Sequence, residues 1–456
     1  MSVVTQRATV VDNALVRYGA PVRAALDRLA ATAASTPGFE PGFLLPEPDA
    51  ALERFFAPSD LAFHELGSYR GRQLRLLDLM RNPRTRTTKT YPSLVIVARA
   101  MHYIQQTGEG VMIVSPSSGN KATALRDAVL RAIESGAVSP ELLQILVVLP
   151  RSSQDKFWAS PLSERERWRR RNPVAVFDGT RTDEVKRLAR ALVDDHGEAL
   201  WRGHGVRMWH SMHIDNYRVA DIVRAYAERE FLPHRPDGRL HVHAVSSAFG
   251  LLGHHLGATM LTEGGRTVTP PHYFLVQHLG TPDMVLRLHH DSVSREHLPA
   301  YDRDPIDGLL RQRADPHYPL VTADPDEVLD PTFYTHDPAT APQMSEIIRE
   351  QGGGGIVVSR HECRARYPEI RRLLTGAAIA LPEDPARLRE WSLVMAFTGV
   401  LEGIDRGLVD EDDILVHGSG SYAVGDYRPI ASDHLVPVRE SGDLVAVAEN
   451  AMGAKD

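Results

Sequence analysis

The chain has 456 residues, 43% apolar and 24% charged, with a formal net charge of −7. That is ample for a packed core and too long for one small domain, while the mild acidity argues against a phosphate-backbone binder. No run approaches the ~18 apolar residues of a membrane span, no basic patch and apolar block open the sequence, and one cysteine, Cys363, excludes an internal disulfide or a cysteine-only metal site held by this chain alone.

Ala24 to Ala34 reads as helix, and Thr36 to Pro58 as a proline-containing loop without period. Leu94, Val97, Met101 and Ile104 fall at helical spacing, stopped by Gly108 and Gly110. Val111–Val114 is a short apolar run, read as a buried strand. Ser115–Asn120 is its turn, and Leu125, Ala128, Val129, Ala132 and Ile133 mark the next helix. Ile145–Leu149 and Val174–Phe177 are further strands, and Thr182-Asp-Glu opens another helix. The alternation resumes with a strand at His241–Val245, a helix through His255, strands at Tyr273–Gln277 and Ile356–Ser359, and a capping box Ser359-x-x-Glu362. Ile414–Val416 is the last strand. Strand–helix alternation of this kind predicts an α/β fold with mostly parallel sheets. Ser163–Asn172 is a basic run, read as a solvated helix face; residues 302–343, rich in Asp and Pro, read as a surface excursion.

Ligands of open α/β sheets sit in the turns after strands, which singles out four segments. Ser117-Ser-Gly-Asn120 opens a helix, where amides and hydroxyls suit a carboxylate or phosphate; a plain capping turn is the other reading. Ser246-Ser-Ala-Phe-Gly250 has the same placement. Lys89 lies at a helix start, where the positive dipole end disfavours its charge and favours the amine a Schiff-base lysine needs. The His417–Tyr422 turn carries glycines that permit close approach of a ligand. Only five lysines occur, against a Lys plus Arg total of 52. Lys121 follows Asn120, Lys156 and Lys186 fall in polar segments read as solvated, and Lys455 is in the tail. Histidines recur at His241-x-His243, His254-His255 and His289-His290, but without a carboxylate at ligand spacing, and no metal site is expected.

In their order these turns resemble the fold type II pyridoxal-phosphate (PLP) enzymes of the tryptophan synthase β-like family, and most of all threonine synthase. Asn82-Pro-Arg-Thr-Arg-Thr-Thr-Lys89 resembles the segment ending in the Schiff-base lysine. A helix and strand follow, then Ser117-Ser-Gly-Asn120. Asn172–Gly179 resembles the next strand–helix unit, His213–Ala220 an Asn-Pro-Tyr-Arg segment, Ser246–Gly250 the phosphate loop, and His417-Gly-Ser-Gly420 the turn that meets the pyridine ring. The resemblance runs from about residue 60 to 425. It implies a two-lobed fold type II PLP enzyme. Its large cofactor-binding domain would comprise residues 1–89 with 201–456, and its small domain residues 90–200. It further implies Lys89 as the catalytic lysine and Ser117, Ser118 and Gly119 as the holders of the substrate carboxylate. Asn120 would bind the cofactor's phenolic oxygen, and Ser246, Ser247, Ala248, Phe249 and Gly250 its phosphate. Either His417 or Ser419 would face the pyridine nitrogen. The expected activity is β- or γ-elimination or replacement on an α-amino acid, in a biosynthetic, specialised pathway. A homodimer in the cytoplasm, with no membrane or nucleic-acid partner, is expected. Three departures mark a divergent member. Thr90 and Tyr91 follow the lysine instead of Asp and Arg, Lys89 lies one residue further from Asn82-Pro83 than in the family, and Ala248 and Phe249 stand where glycines are usual. A cofactor-free descendant that binds an amino acid or a phosphorylated metabolite is the alternative.

Overall fold

The computed structural model describes residues 8–32, 38–117, 119–179, 184–210, 214–333 and 335–454. The chain folds as two compact units. The first comprises Met1–Asp12, Asp60–Arg81 and Asp221–Val424, the second Asn13–Ser59, Asn82–Ala220 and Gly425–Asp456. Residues 13–59, 82–89, 201–220 and 425–456 belong to the second unit, whereas the sequence places them in the large domain.

The first unit is built on a seven-stranded sheet in the order Thr9–Val11, Leu61–Tyr69, Arg72–Asp78, Asp413–Gly418, Arg239–Ala244, Pro271–His278, Gly353–Val358. The last five strands run parallel, and the first two add an antiparallel edge. Both faces are covered. Leu76, Val242, Phe274, Ile356 and Val416 pack under the helix Ser392–Asp405, and Leu251, Leu275, Met284 and Val357 form a core on the other side. Burial on both faces is why these strands read as apolar runs rather than alternating ones.

The second unit holds a five-stranded, wholly parallel sheet ordered Val436–Val438, Val174–Phe177, Leu143–Pro150, Gly110–Pro116, Val206–His210. Met112, Val114, Leu146 and Val148 pack on Val185, Leu188 and Leu192 of the helix Glu184–His204 and on Leu444 and Ala448 of the helix Ser441–Met452. The two sheets match the expected α/β class, and the strand Val174–Phe177 has the expected bounds.

Three readings need correction. The Thr36–Pro58 stretch contains a helix, Ala50–Phe56, capped by Asp49 and burying Leu52, Phe55 and Phe56. Residues 302–343 carry a small antiparallel sheet of three two-residue strands and bury Tyr318 and Asp330 completely. Lys156 is buried, at 6% exposure, and Lys186 is half-buried. The helix expected from Thr182 is described from Glu184 onward. No helix among the described residues is long and apolar enough to cross a membrane.

Candidate active site

In the second unit, the loop that presents Lys89 is fixed by Asn82. Its amide donates to Asp127 Oδ2 at 2.8 Å and to Thr90 Oγ1 at 3.3 Å, and its oxygen accepts from Arg131 and from the Arg84 amide, both at 3.1 Å. Asp127 and Arg131 belong to the helix Asn120–Glu134, so the lysine loop is tied to the helix that begins at the Ser-Ser-Gly-Asn turn. Lys89 then caps the helix Thr90–Thr107, its carbonyl accepting from Ser93. Arg84 pairs with Glu134 at 2.8 Å and Arg86 with Asp426 at 3.0 Å, so both arginines of this loop are already matched to carboxylates.

At the second turn, Ser117 is buried and its Oγ accepts from the Gly119 and Ala122 amides, each at 3.1 Å. Ser117 thus caps the helix itself. Gly119 sits at φ 139°, in the left-handed region glycine tolerates. Asn120 is the first helical residue, and no acidic side chain stands in the first turn. Ser118 lies outside the described residues, as does His213.

Two residues join Lys89 that the sequence reading did not assign. The Tyr217 ring, buried on the helix Ile214–Asp221, has Lys89 Nζ 5.5 Å and Lys121 Nζ 6.0 Å from its centroid. Burial, then the charges of Lys89 and Lys186, push the Lys121 amine down to about 7. Tyr217 lies in the segment singled out by resemblance. Lys121 was visible only as the residue after Asn120.

In the first unit, the strand Arg239–Ala244 leads through Ser246 and Ser247 to the helix Phe249–Glu263, again with no acid in its first turn. Ala248 caps that helix in the left-handed conformation, φ 49°. The turn therefore keeps a glycine-like backbone with a Cβ on it, at a strain of about 1–2 kcal/mol. Gly250 is required for another reason: a Cβ there would stand 2.6 Å from Arg224 Nη1.

The Arg224 guanidinium is fully buried, paired with Asp221 at 2.7 Å, and meets His417 Nδ1 at 3.1 Å. His417 Nε2 meets His241 Nδ1 at 3.0 Å. His241 Nε2 faces Glu228 Oε2 at 3.6 Å. Glu228 accepts from His254 Nε2 at 2.7 Å, and His254 Nδ1 lies 2.9 Å from the Tyr273 hydroxyl. Burial drives His241 and His417 well below the ordinary histidine range, and cationic neighbours add to this. Both ring nitrogens of His417 are thus engaged inside this unit. The glycines of its turn serve close packing: a Cβ at Gly418 would meet Met80 at 2.9 Å, and one at Gly420 would meet Glu390 at 2.9 Å. Ser419 is buried between them.

The fold also supplies the carboxylate that sequence spacing lacked: one ligand atom each of Glu228, His241 and His254 lies within 4.8 Å of the others. Glu228 is committed there to ion pairing with Arg239 as well.

The comparisons with known proteins agree on the fold. The PLP-bound threonine synthase of Brucella melitensis superposes with a TM-score of 0.52 at 12% identity, covering 95% of this chain and 89% of that one. Yeast threonine synthase gives 0.51 at 11% identity, covering 86% and 80%. The chain therefore has the fold type II architecture of the PLP enzymes. No curated protein matches it by sequence. Residues 10–452 match the family described as "Family of unknown function (DUF6002)", and the chain belongs to that family.

Proposed function

We propose that the chain is a PLP-dependent enzyme acting on an α-amino acid by β- or γ-elimination or replacement. The observation that carries this reading is Lys89. It heads a helix, in a loop tied through Asn82 to the helix of the Ser117–Asn120 turn, and its amine lies over Tyr217. The donor set suits the cofactor. Two helix N-termini without acidic residues offer amides to anions, one for a carboxylate and one for a phosphate. Asn120 offers an amide for the phenolic oxygen.

Bound there, PLP would supply an electron sink for the bond broken at Cα. The remaining work falls to the chain. The turn Ser117–Gly119 orients the substrate carboxylate, and Lys89 takes and returns the Cα proton. The amides of Ser246–Gly250 anchor the phosphate. With both His417 nitrogens engaged by Arg224 and His241, Ser419 is the group assigned to the pyridine nitrogen. A neutral hydroxyl leaves that nitrogen largely unprotonated, which suits elimination and replacement. A homodimer in the cytoplasm belongs to the same proposal.

Purified protein incubated with PLP is expected to turn yellow, and borohydride is expected to fix the cofactor's mass on the Lys89 peptide. Lys89→Ala should abolish both. Protein that stays colourless and takes up no PLP would favour the cofactor-free alternative.

A further inference from the structure

We propose that the second unit carries a further ligand site, for a small organic anion with an apolar body, in a cavity at the sheet edge opposite the Ser117–Asn120 turn. Nothing in this site depends on the role of Lys89.

The cavity measures about 620 Å³, a size usual for small-molecule sites, and every residue that lines it belongs to the second unit. Its place follows from the sheet. Pro173 immediately precedes the strand Val174–Phe177, and Leu435 immediately precedes Val436–Val438; both line the cavity. These strands run parallel to Leu143–Pro150 and Gly110–Pro116. The cavity therefore lies at the amino edge of the sheet, whereas the Ser117–Asn120 turn follows Gly110–Pro116 at the carboxyl edge.

Two chemistries meet on its walls. Arg169 and Arg170, in the last turn of the helix Glu166–Arg171, stand with His434 on the polar side. Leu435, Val436 and the half-buried Val447 of the helix Ser441–Met452 form the apolar side, and Val436 keeps 37% of its surface exposed. Asp433 is the one acid on the lining, against two guanidiniums. A guanidinium is weakly hydrated, and its planar fork matches a carboxylate, phosphate or sulfonate, so the balance favours an anion. Both arginines can turn to one. Arg169 Nη1 donates to the Ser163 carbonyl at 3.3 Å, a long contact with a neutral acceptor. Arg170 pairs with Glu166 on its own helix, with the two side chains 67% and 66% exposed, and such a pair holds its members weakly. The basic run Ser163–Asn172 thus supplies a wall of a concave site. An added peptide strand suits this edge poorly. Val436–Val438 is the outer strand of the sheet, but it has three residues, and the middle one, Pro437, has no N–H to give. A discrete molecule, anionic at one end and apolar at the other, fits both walls.

The test uses the full-length chain and two naphthalene dyes of similar shape: 1-anilinonaphthalene-8-sulfonate, which carries an anion, and N-phenyl-1-naphthylamine, which lacks it. Fluorescence titrations give the affinity for each. They are repeated on Arg169→Gln/Arg170→Gln, on Val436→Asp and, as a control, on Arg187→Gln, an exposed arginine of the helix Glu184–His204. Circular dichroism checks that each variant is folded. The wild type is expected to bind one sulfonate per chain, about tenfold or more tighter than the neutral dye, as the loss of one hydrogen bond to a charged group would give. The double variant should abolish that preference and leave the neutral dye unchanged. Val436→Asp should weaken both dyes, and Arg187→Gln neither. Equal affinity for the two dyes in the wild type, or a preference that survives in the folded double variant, overturns the site. So does a neutral dye unaffected by Val436→Asp, or an equal loss in Arg187→Gln.

Discussion

Glu228→Gln tests how the buried polar cluster of the first unit is held. The carboxylate accepts from Arg239 Nη1 at 2.5 Å and from His254 Nε2 at 2.7 Å. Burial alone would raise its pKa, but His241, His254 and Arg239 outweigh burial and hold it well below the carboxylate range. An amide keeps the shape, yet it turns an NH2 group toward one of two donors and removes the charge opposite Arg239. Breaking a buried pair outright destabilises by about 3–5 kcal/mol. Arg239 keeps Asp413, at 2.8 Å, so the lower end applies. About 3 kcal/mol corresponds to a Tm lower by roughly 6–12 °C in a unit of this size. A depressed carboxylate pKa contributes stability that is present above its unfolded value of ~4.3 and lost as the pH falls through that value toward the folded one. The gap between wild type and variant should therefore hold from neutrality to about pH 5 and narrow in stronger acid. Thermal melts followed by near-ultraviolet circular dichroism along a pH series measure both effects. A Tm change under about 2 °C at neutral pH, or a gap that has not narrowed at all by about pH 3, would refute the reasoning.

Two substitutions in the Ser246–Gly250 turn should act in opposite directions. Ala248→Gly relieves a left-handed alanine and should stabilise by roughly 0.5–1 kcal/mol. Gly250→Ala pushes a Cβ into a guanidinium pinned by Asp221 and His417. Losing a charged hydrogen bond there should destabilise by about 1.5–3 kcal/mol, measured by urea unfolding; equal effects at both sites would contradict this account. His241 and His417 have folded pKa values well below the unfolded ~6.5, so each withholds stability as the pH falls below that value, at up to ~1.4 kcal/mol per pH unit. His417→Gln, able to accept from Arg224 and donate to His241, should flatten the acid slope between about pH 6 and pH 5. An unchanged slope would show that His417 takes up its proton in the folded state.

The sheets were legible because parallel strands buried on both faces must be apolar throughout. Val174–Phe177 stands out for that reason, and Gly108, at φ 73°, ends its helix as glycine can. The capping box is present, with Ser359 Oγ accepting from the Glu362 amide at 3.0 Å. The helix Ala50–Phe56 was missed because seven residues hold under two turns, too few to show a period among prolines; Asp49 was its only local signal. Glu228, His241 and His254 come together through two helices and a strand, so no spacing rule could gather them. That a Cβ at Gly418 would meet Met80 and one at Gly420 would meet Glu390 was not legible, because a sequence does not show those neighbours. That Lys121 lies over the Tyr217 ring was not legible, since Tyr217 is far along the chain.

The histidine cluster also has a direction, fixed by its two ends. Arg224 can only donate, so His417 Nδ1 accepts and the ring proton sits on Nε2. That proton is given to His241 Nδ1, which leaves the His241 proton on Nε2, facing Glu228. Glu228 can only accept, so His254 donates to it from Nε2, and Nδ1 of that ring takes the hydroxyl proton of Tyr273, which burial keeps in place. Every ring is thereby held in one tautomer between a guanidinium and a carboxylate. A further proton on His241 or His417 would set two donors against each other at about 3 Å. This single polarity accounts for the low basicity of both rings without reference to any ligand. In the proposed reading it also weighs against His417 as the group at the pyridine nitrogen: turning it outward would cost Arg224 and His241 the contact each makes with it, at about 1–3 kcal/mol for each.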